Sequence, residues 1–235
     1  MSFELPPEQT SAAAWYGPEM VKRSDWLMPL SAAEIAEVDS AATALARREA
    51  DIAAIRASDF PLPTLGPKLK TRVRDEVLNG RGFLLLRGLP VERWSMREAA
   101  TAFFGLGTHL GSARSQNGKG HVLGHVQDLG LDVHDPNVRI YQTNERQTYH
   151  TDSCDIVGLL CLKTAKSGGL SALVSSTTIF NEMRRRTMVV GIAIGQAAIV
   201  VAQKVGALGG RQMLGEVAPC LGEDCAHAVE EPLDL

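Results

Sequence analysis

Residues 149–163 read YHTDSCDIVGLLCLK, a His150-Thr151-Asp152 tripeptide at the head of an apolar run. The run is short, continuous and rich in Ile, Val and Leu, which predicts a buried strand over 155–163. Side chains alternate along an extended backbone, so an imidazole and a carboxylate two residues apart point to one face. Such a pair supplies two of the three donors of a mononuclear non-haem iron(II) site. That site takes two His and one carboxylate on one face of the metal and leaves the other positions open. The same two residues equally suit a plain His–Asp hydrogen bond at a strand start. The tripeptide alone leaves both readings standing.

The rest of the chain up to Arg186 alternates helix and strand signals. Residues 1–30 hold Pro6, Pro7, Pro18 and Pro29 with Trp15 and Trp26, and read as an extended arm on the surface. Ser31-Ala-Ala-Glu34 is a capping box, opening an Ala-rich helix to about residue 57. A second helix is expected over 68–79, stopped by Gly80. GFLLLRG at 82–88 reads as a buried strand bounded by glycines. Ser95-Met-Arg-Glu98 opens another capped helix. HVLGHVQDLG, VRIYQTN and ALVSS read as strands, SGGLS as a tight turn, and 178–186 as a helix. Its terminal Arg184-Arg185-Arg186 suits the negative end of a helix dipole. After Arg186 the periodicity is lost. Residues 188–202 carry no charge, but fifteen residues fall short of the roughly twenty a membrane span needs. Gly191 and Gly195 form a G-x-x-x-G with no span around it. The organisation expected is an arm at 1–30, one domain at 31–186 and an atypical apolar and acidic tail at 187–235.

Composition narrows the partners. A net charge of -3 gives no footprint for nucleic acid. No membrane segment is expected, and self-association is left open. The tail sets only Lys204 and Arg211 against six carboxylates, whereas the body is nearly balanced. MSFELPPEQT is polar, so no leader peptide is expected and the chain is placed in the cytoplasm. There Cys154, Cys161, Cys220 and Cys225 would be reduced thiols. Cys220 and Cys225 with His227 have loosely zinc-like spacing but no second pair. His109, His121, His125 and His134 share no ligand-like spacing.

Three blocks, in order, carry a family likeness: GRGFLLLRGLPV at 80–91, YHTDSCDIVGLLCLK at 149–163, and SGGLSALVSSTTIFNEM at 167–183. Together they resemble the taurine dioxygenase family of Fe(II)/2-oxoglutarate-dependent oxygenases, which has the clavaminate synthase-like fold. The resemblance implies an α+β chain, a double-stranded β-helix (jelly-roll) with flanking helices. It makes His150 and Asp152 the proximal ligands of Fe(II). It places the Ser171 hydroxyl by the far carboxylate of 2-oxoglutarate, and Asn144 facing substrate or co-substrate. The family's distal histidine and the arginine beyond it have no counterpart in that order here. The only later histidine is His227, and no arginine follows Arg211. The expectation is therefore a partial jelly-roll, truncated or replaced on its C-terminal side. Its expected function is oxygenation of a small organic acid or a secondary-metabolite intermediate, impaired as written. The alternative is a non-catalytic remnant of the fold that acts through binding.

Overall fold

The computed structural model describes residues 6–117, 119–165 and 170–186, together with the backbone of residues 201–203 and 212–218. Helix α1 (Gly17–Met20) has a proline in its first turn, where a missing N–H leaves no bond unmade. Strand β1 (Leu27–Pro29) then joins the domain through a contact distant in sequence. It pairs in parallel with β2 (Leu85–Arg87), Leu27 opposite Leu85 and Pro29 opposite Arg87. Met20, Met28 and Leu30 are buried, so this stretch contributes core as well as surface.

Helix α2 (Ala32–Arg47) starts at the expected capping box. Glu34 Oε2 accepts from the Ser31 amide at 2.8 Å, and Ser31 Oγ accepts from the Glu34 amide at 3.3 Å. The helix ends some ten residues earlier than the Ala-rich composition predicts. Glu49 takes a left-handed conformation (φ 51°), which an L-residue adopts only at a helix break or turn. Asp51 then caps a separate 3₁₀ turn over Ile52–Ala54 by accepting from the Ala53 amide. These local polar bonds outweigh alanine's helix propensity.

The second helix runs as α3 (Leu65–Lys68), a π-type turn (Leu69–Val73) and α4 (Arg74–Leu78). Its start is capped from another helix: Glu37 on α2 accepts from the amides of Thr64 (2.9 Å) and Leu65 (3.1 Å). Leu65, Leu69 and Val73 turn inward with Val38, Ala42 and Phe60. Helix α5 (Met96–Thr108), capped by Ser95 and Glu98 as expected, closes this core with Ala102, Phe104 and Leu106. Phe60 reaches α5 where Gly105 offers no side chain, and its carbonyl accepts from His109 Nε2 at 2.8 Å.

Beyond α5 come β3 (Ser112–Ala113), β4 (Gly124–Val126), β5 (Ile156–Cys161), β6 (Ser171–Leu173), α6 (Ser176–Arg185), β7 (Val201–Gln203) and β8 (Gln212–Ala218). VRIYQTN, expected as a strand, is instead a 3₁₀ turn over Ile140–Gln142. It still bonds the continuation of β4, through Gln127 N to Tyr141 O (3.1 Å) and Leu129 N to Gln142 O (2.8 Å). Strand β8 is antiparallel to β5 across Ile156↔Val217 to Cys161↔Gln212, and its other edge carries β3 and β4. β6 pairs with β7. The residues after Arg186, expected to add no strand, thus contribute two. The physical reason is that a half-buried strand such as β5 leaves an edge of N–H and C=O groups that calls for a partner strand. Helix and strand are mixed throughout. Among the described residues no helix is long and apolar enough to cross a membrane.

Residues 6–16 lie along α6. Asn181 holds the Gln9 backbone from both sides, its Oδ1 accepting from Gln9 N (2.9 Å) and its Nδ2 donating to Gln9 O (2.7 Å). Thr178 Oγ1 donates to Trp15 O at 2.7 Å, and Ser175 donates to Ala13 O. These are positions i, i+3 and i+6 of one helix face. The Trp15 ring lies edge-on to Phe83, centroids 5.3 Å apart.

Candidate metal and co-substrate site

The site begins in the loop that feeds β5. Residues 143–155 form no helix or strand, yet the backbone there is fixed locally. Thr143 is buried, donates through Oγ1 to Ile140 O (2.8 Å) and accepts from the Glu145 amide (3.2 Å). His150 follows with both ring nitrogens engaged. Nδ1 lies 2.9 Å from the Thr148 carbonyl, which can only accept, so Nδ1 carries the proton of the neutral ring. That leaves Nε2 with its lone pair. Gln147 Nε2 sits 3.3 Å from it and donates to it. Asp152 Oδ1 is 3.9 Å from the same nitrogen. The two side chains are 32% and 26% exposed, open enough for an ion to reach and sheltered enough to be held.

The sequence expectation that His150 and Asp152 share a face of an extended strand differs in backbone detail, because β5 starts only at Ile156. The side chains nonetheless converge. Neutral imidazole nitrogen and carboxylate oxygen suit a borderline divalent first-row ion. Neighbouring donors about such an ion, at bonds of about 2.1 Å, stand about 3 Å apart. The observed 3.9 Å needs under 1 Å of side-chain adjustment. The carbonyl on Nδ1 is the kind of outer contact that orients metal-binding histidines. The two residues fit the metal as two of its ligands. No group of three or more His, Cys, Asp or Glu side chains able to hold a metal occurs among the described residues.

The other expected site residues are not bonded to this pair. Asn144 is exposed in the turn after Thr143, and Ser171 is exposed as the first residue of β6, opposite Gln203. Neither shares a hydrogen bond with His150 or Asp152 among the described residues. The glycine turn before Ser171, the 187–200 segment, Arg211, Cys220, Cys225 and His227 lie outside the described residues. Gln147 does not stand out in the sequence, because a single amide in a polar loop matches no ligand spacing. Its only signal was its position three residues before His150. A groove of about 800 Å³ over Lys70, Arg72, Arg74 and Asn79 shares no residue with the pair, and nothing links it to the same chemistry.

The geometry so far defines a chain of mixed helix and strand with a His-x-Asp pair ahead of a sheet strand. Residues 44–188 match the family described as Taurine catabolism dioxygenase TauD, TfdA family, and the chain belongs to that family. Among individual proteins it is similar to FR-33289 synthase of Streptomyces rubellomurinus (strain ATCC 31215). The identity is 31% over 175 residues, covering 74% of this chain and 51% of that protein. It is also similar to the taurine hydroxylase-like protein SAT17 of Stachybotrys chartarum (strain CBS 109288 / IBT 7711). There the identity is 32% over 177 residues, covering 72% of this chain and 46% of that protein. The chain spans about half the length of the curated relatives it matches.

Proposed function

We propose that this chain is an Fe(II)- and 2-oxoglutarate-dependent oxygenase that hydroxylates a small organic acid or a secondary-metabolite intermediate, and that it works weakly as written. The observation that carries the reading is the convergence of His150 Nε2 and Asp152 Oδ1 to 3.9 Å within the family-matching region. The relatives' names, a synthase and a taurine hydroxylase-like protein, support small-molecule oxidation over any polymer substrate. Strands β3, β4, β5 and β8 are read as part of a double-stranded β-helix with α2 to α5 outside it.

His150 and Asp152 would hold the iron. When bound, iron supplies the activation of O₂ that couples loss of CO₂ from 2-oxoglutarate to oxidation of a substrate C–H bond. The protein's share is placement. The Thr148 carbonyl accepts from Nδ1 and so orients the ring with Nε2 toward Asp152, the edge that would ligate. The Ser171 hydroxyl and the Asn144 amide are the groups proposed to hydrogen-bond the co-substrate. His150-dependent conversion of 2-oxoglutarate to succinate is the test.

A further inference from the structure

We propose that the groove over the π-type turn is the docking surface for the acidic residues 219–235 of this same chain. The groove holds about 800 Å³, and Lys70, Arg72, Arg74, Asp75 and Asn79 are among its lining. Leu69 and Val73 of the turn are buried, which leaves Lys70 and Arg72 outward and exposed. Lys68, just before them, is paired with Glu34. The side chains of Lys70, Arg72 and Arg74 make no hydrogen bond or ion pair among the described residues. Asp75 is the one carboxylate in the lining, and its Oδ1 already accepts from Asn79 Nδ2 at 2.8 Å. Three cations thus stand against one carboxylate, and Lys70 and Arg74, four residues apart, repel each other. A single π-type turn inside a helix is frequent at functional sites. Charge says what fits there. Residues 219–235 carry Glu223, Asp224, Glu230, Glu231 and Asp234 and no Lys or Arg. A carboxylate set between Lys70 and Arg74 relieves their repulsion. The reach is sufficient as well. Strand β8 ends at Ala218 and lies against α5, and α5 shares a core with Leu69 and Val73. Residues 219–230 extend up to about 40 Å, more than the roughly 30 Å across a small domain. Tethering gives such a segment an effective concentration of about a millimolar at the groove. Surface ion pairs that are weak singly then suffice together.

The test is zero-length carbodiimide coupling of the full 235-residue chain at low ionic strength, mapped by mass spectrometry of the tryptic peptides. This reagent joins an amine to a carboxylate only where the two touch. The expected product is an isopeptide bond between Lys70 Nζ and a carboxylate of residues 219–235. Isotopically labelled and unlabelled chains are mixed before coupling, and the bond is expected within one copy. Arg72→Gln/Arg74→Gln keeps the reactive amine and removes the attraction around it, and the yield should fall about fivefold or more. Wild type in 1 M NaCl, where charges are screened beyond about 3 Å, should show the same fall without any substitution. Circular dichroism of the double variant matching the wild type separates lost docking from lost folding. A yield undiminished by the substitutions and by salt overturns the proposal, because the contact would then owe nothing to charge. Coupling only between labelled and unlabelled copies overturns it in favour of a second copy as the occupant. No coupling of Lys70 to residues 219–235 in the wild type overturns it outright and leaves the groove to a free anion.

Discussion

Glu34 offers a quantitative test of how the helical half of the domain is held. Its carboxylate, 2% exposed, accepts from the Ser31 amide and hydroxyl (2.8 Å each) and from Lys68 Nζ at 2.6 Å. It therefore joins the start of α2 to the end of α3. The Lys68 ammonium, followed by the Ser31 amide, holds its pKa down to about 2 from 4.5. A carboxyl whose folded-state pKa is depressed stabilises the fold above the unfolded value and loses that contribution as pH falls through the folded value. Here the window runs from about 4.5 down to about 2. At about 1.4 kcal/mol per tenfold in protonation, the full contribution near neutrality is about 3 kcal/mol. Screening of the half-exposed Lys68 lowers that to about 2 kcal/mol. Glu34→Gln keeps the size and one acceptor oxygen but removes the titration and the charge. Urea unfolding at pH 7 should place the variant about 2 kcal/mol below wild type, and at pH 3 the gap should narrow to about 1 kcal/mol. An equal gap at both pH values would refute the reasoning, because the loss would then be one of packing alone.

Two further outcomes follow from the packing. Gly105→Ala would drive a methyl into the Phe60 ring packed on α5, and thermal unfolding should show a loss of about 1–3 kcal/mol. Asn181→Ala removes both bonds to the Gln9 backbone. Limited proteolysis should then cut within residues 6–16 several-fold faster than in wild type, while the rest of the chain keeps its resistance.

The local signals in the sequence carried over well. The capping boxes at Ser31 and Ser95 mark where α2 and α5 start, because each is complete within four residues. The apolar run of β5 is legible for the same reason. What stayed hidden depends on partners distant in sequence or on competing local bonds. β1 becomes a strand only by pairing with β2, 58 residues on, and Pro29 disguises it. The end of α2 is set by Glu49 and Asp51 against an Ala-rich background. β8 has no clean alternation, and its strand character comes from neighbours on both edges. At the site, His150 and Asp152 stand 3.9 Å apart in a loop ahead of β5 rather than on a strand, and the Gln147 amide on Nε2 likewise arises from how the loop folds back, which periodicity does not encode.

The central claim is that this chain runs the family's metal chemistry on His150 and Asp152. Its most direct test is succinate formation from 2-oxoglutarate by the purified chain with Fe(II) and O₂, beside His150→Ala and Asp152→Ala. Slow, Fe(II)-dependent succinate formation by the wild type, abolished in both variants, is the predicted result. Succinate formation that persists undiminished in both variants, or none from the wild type at any Fe(II) concentration, would contradict it.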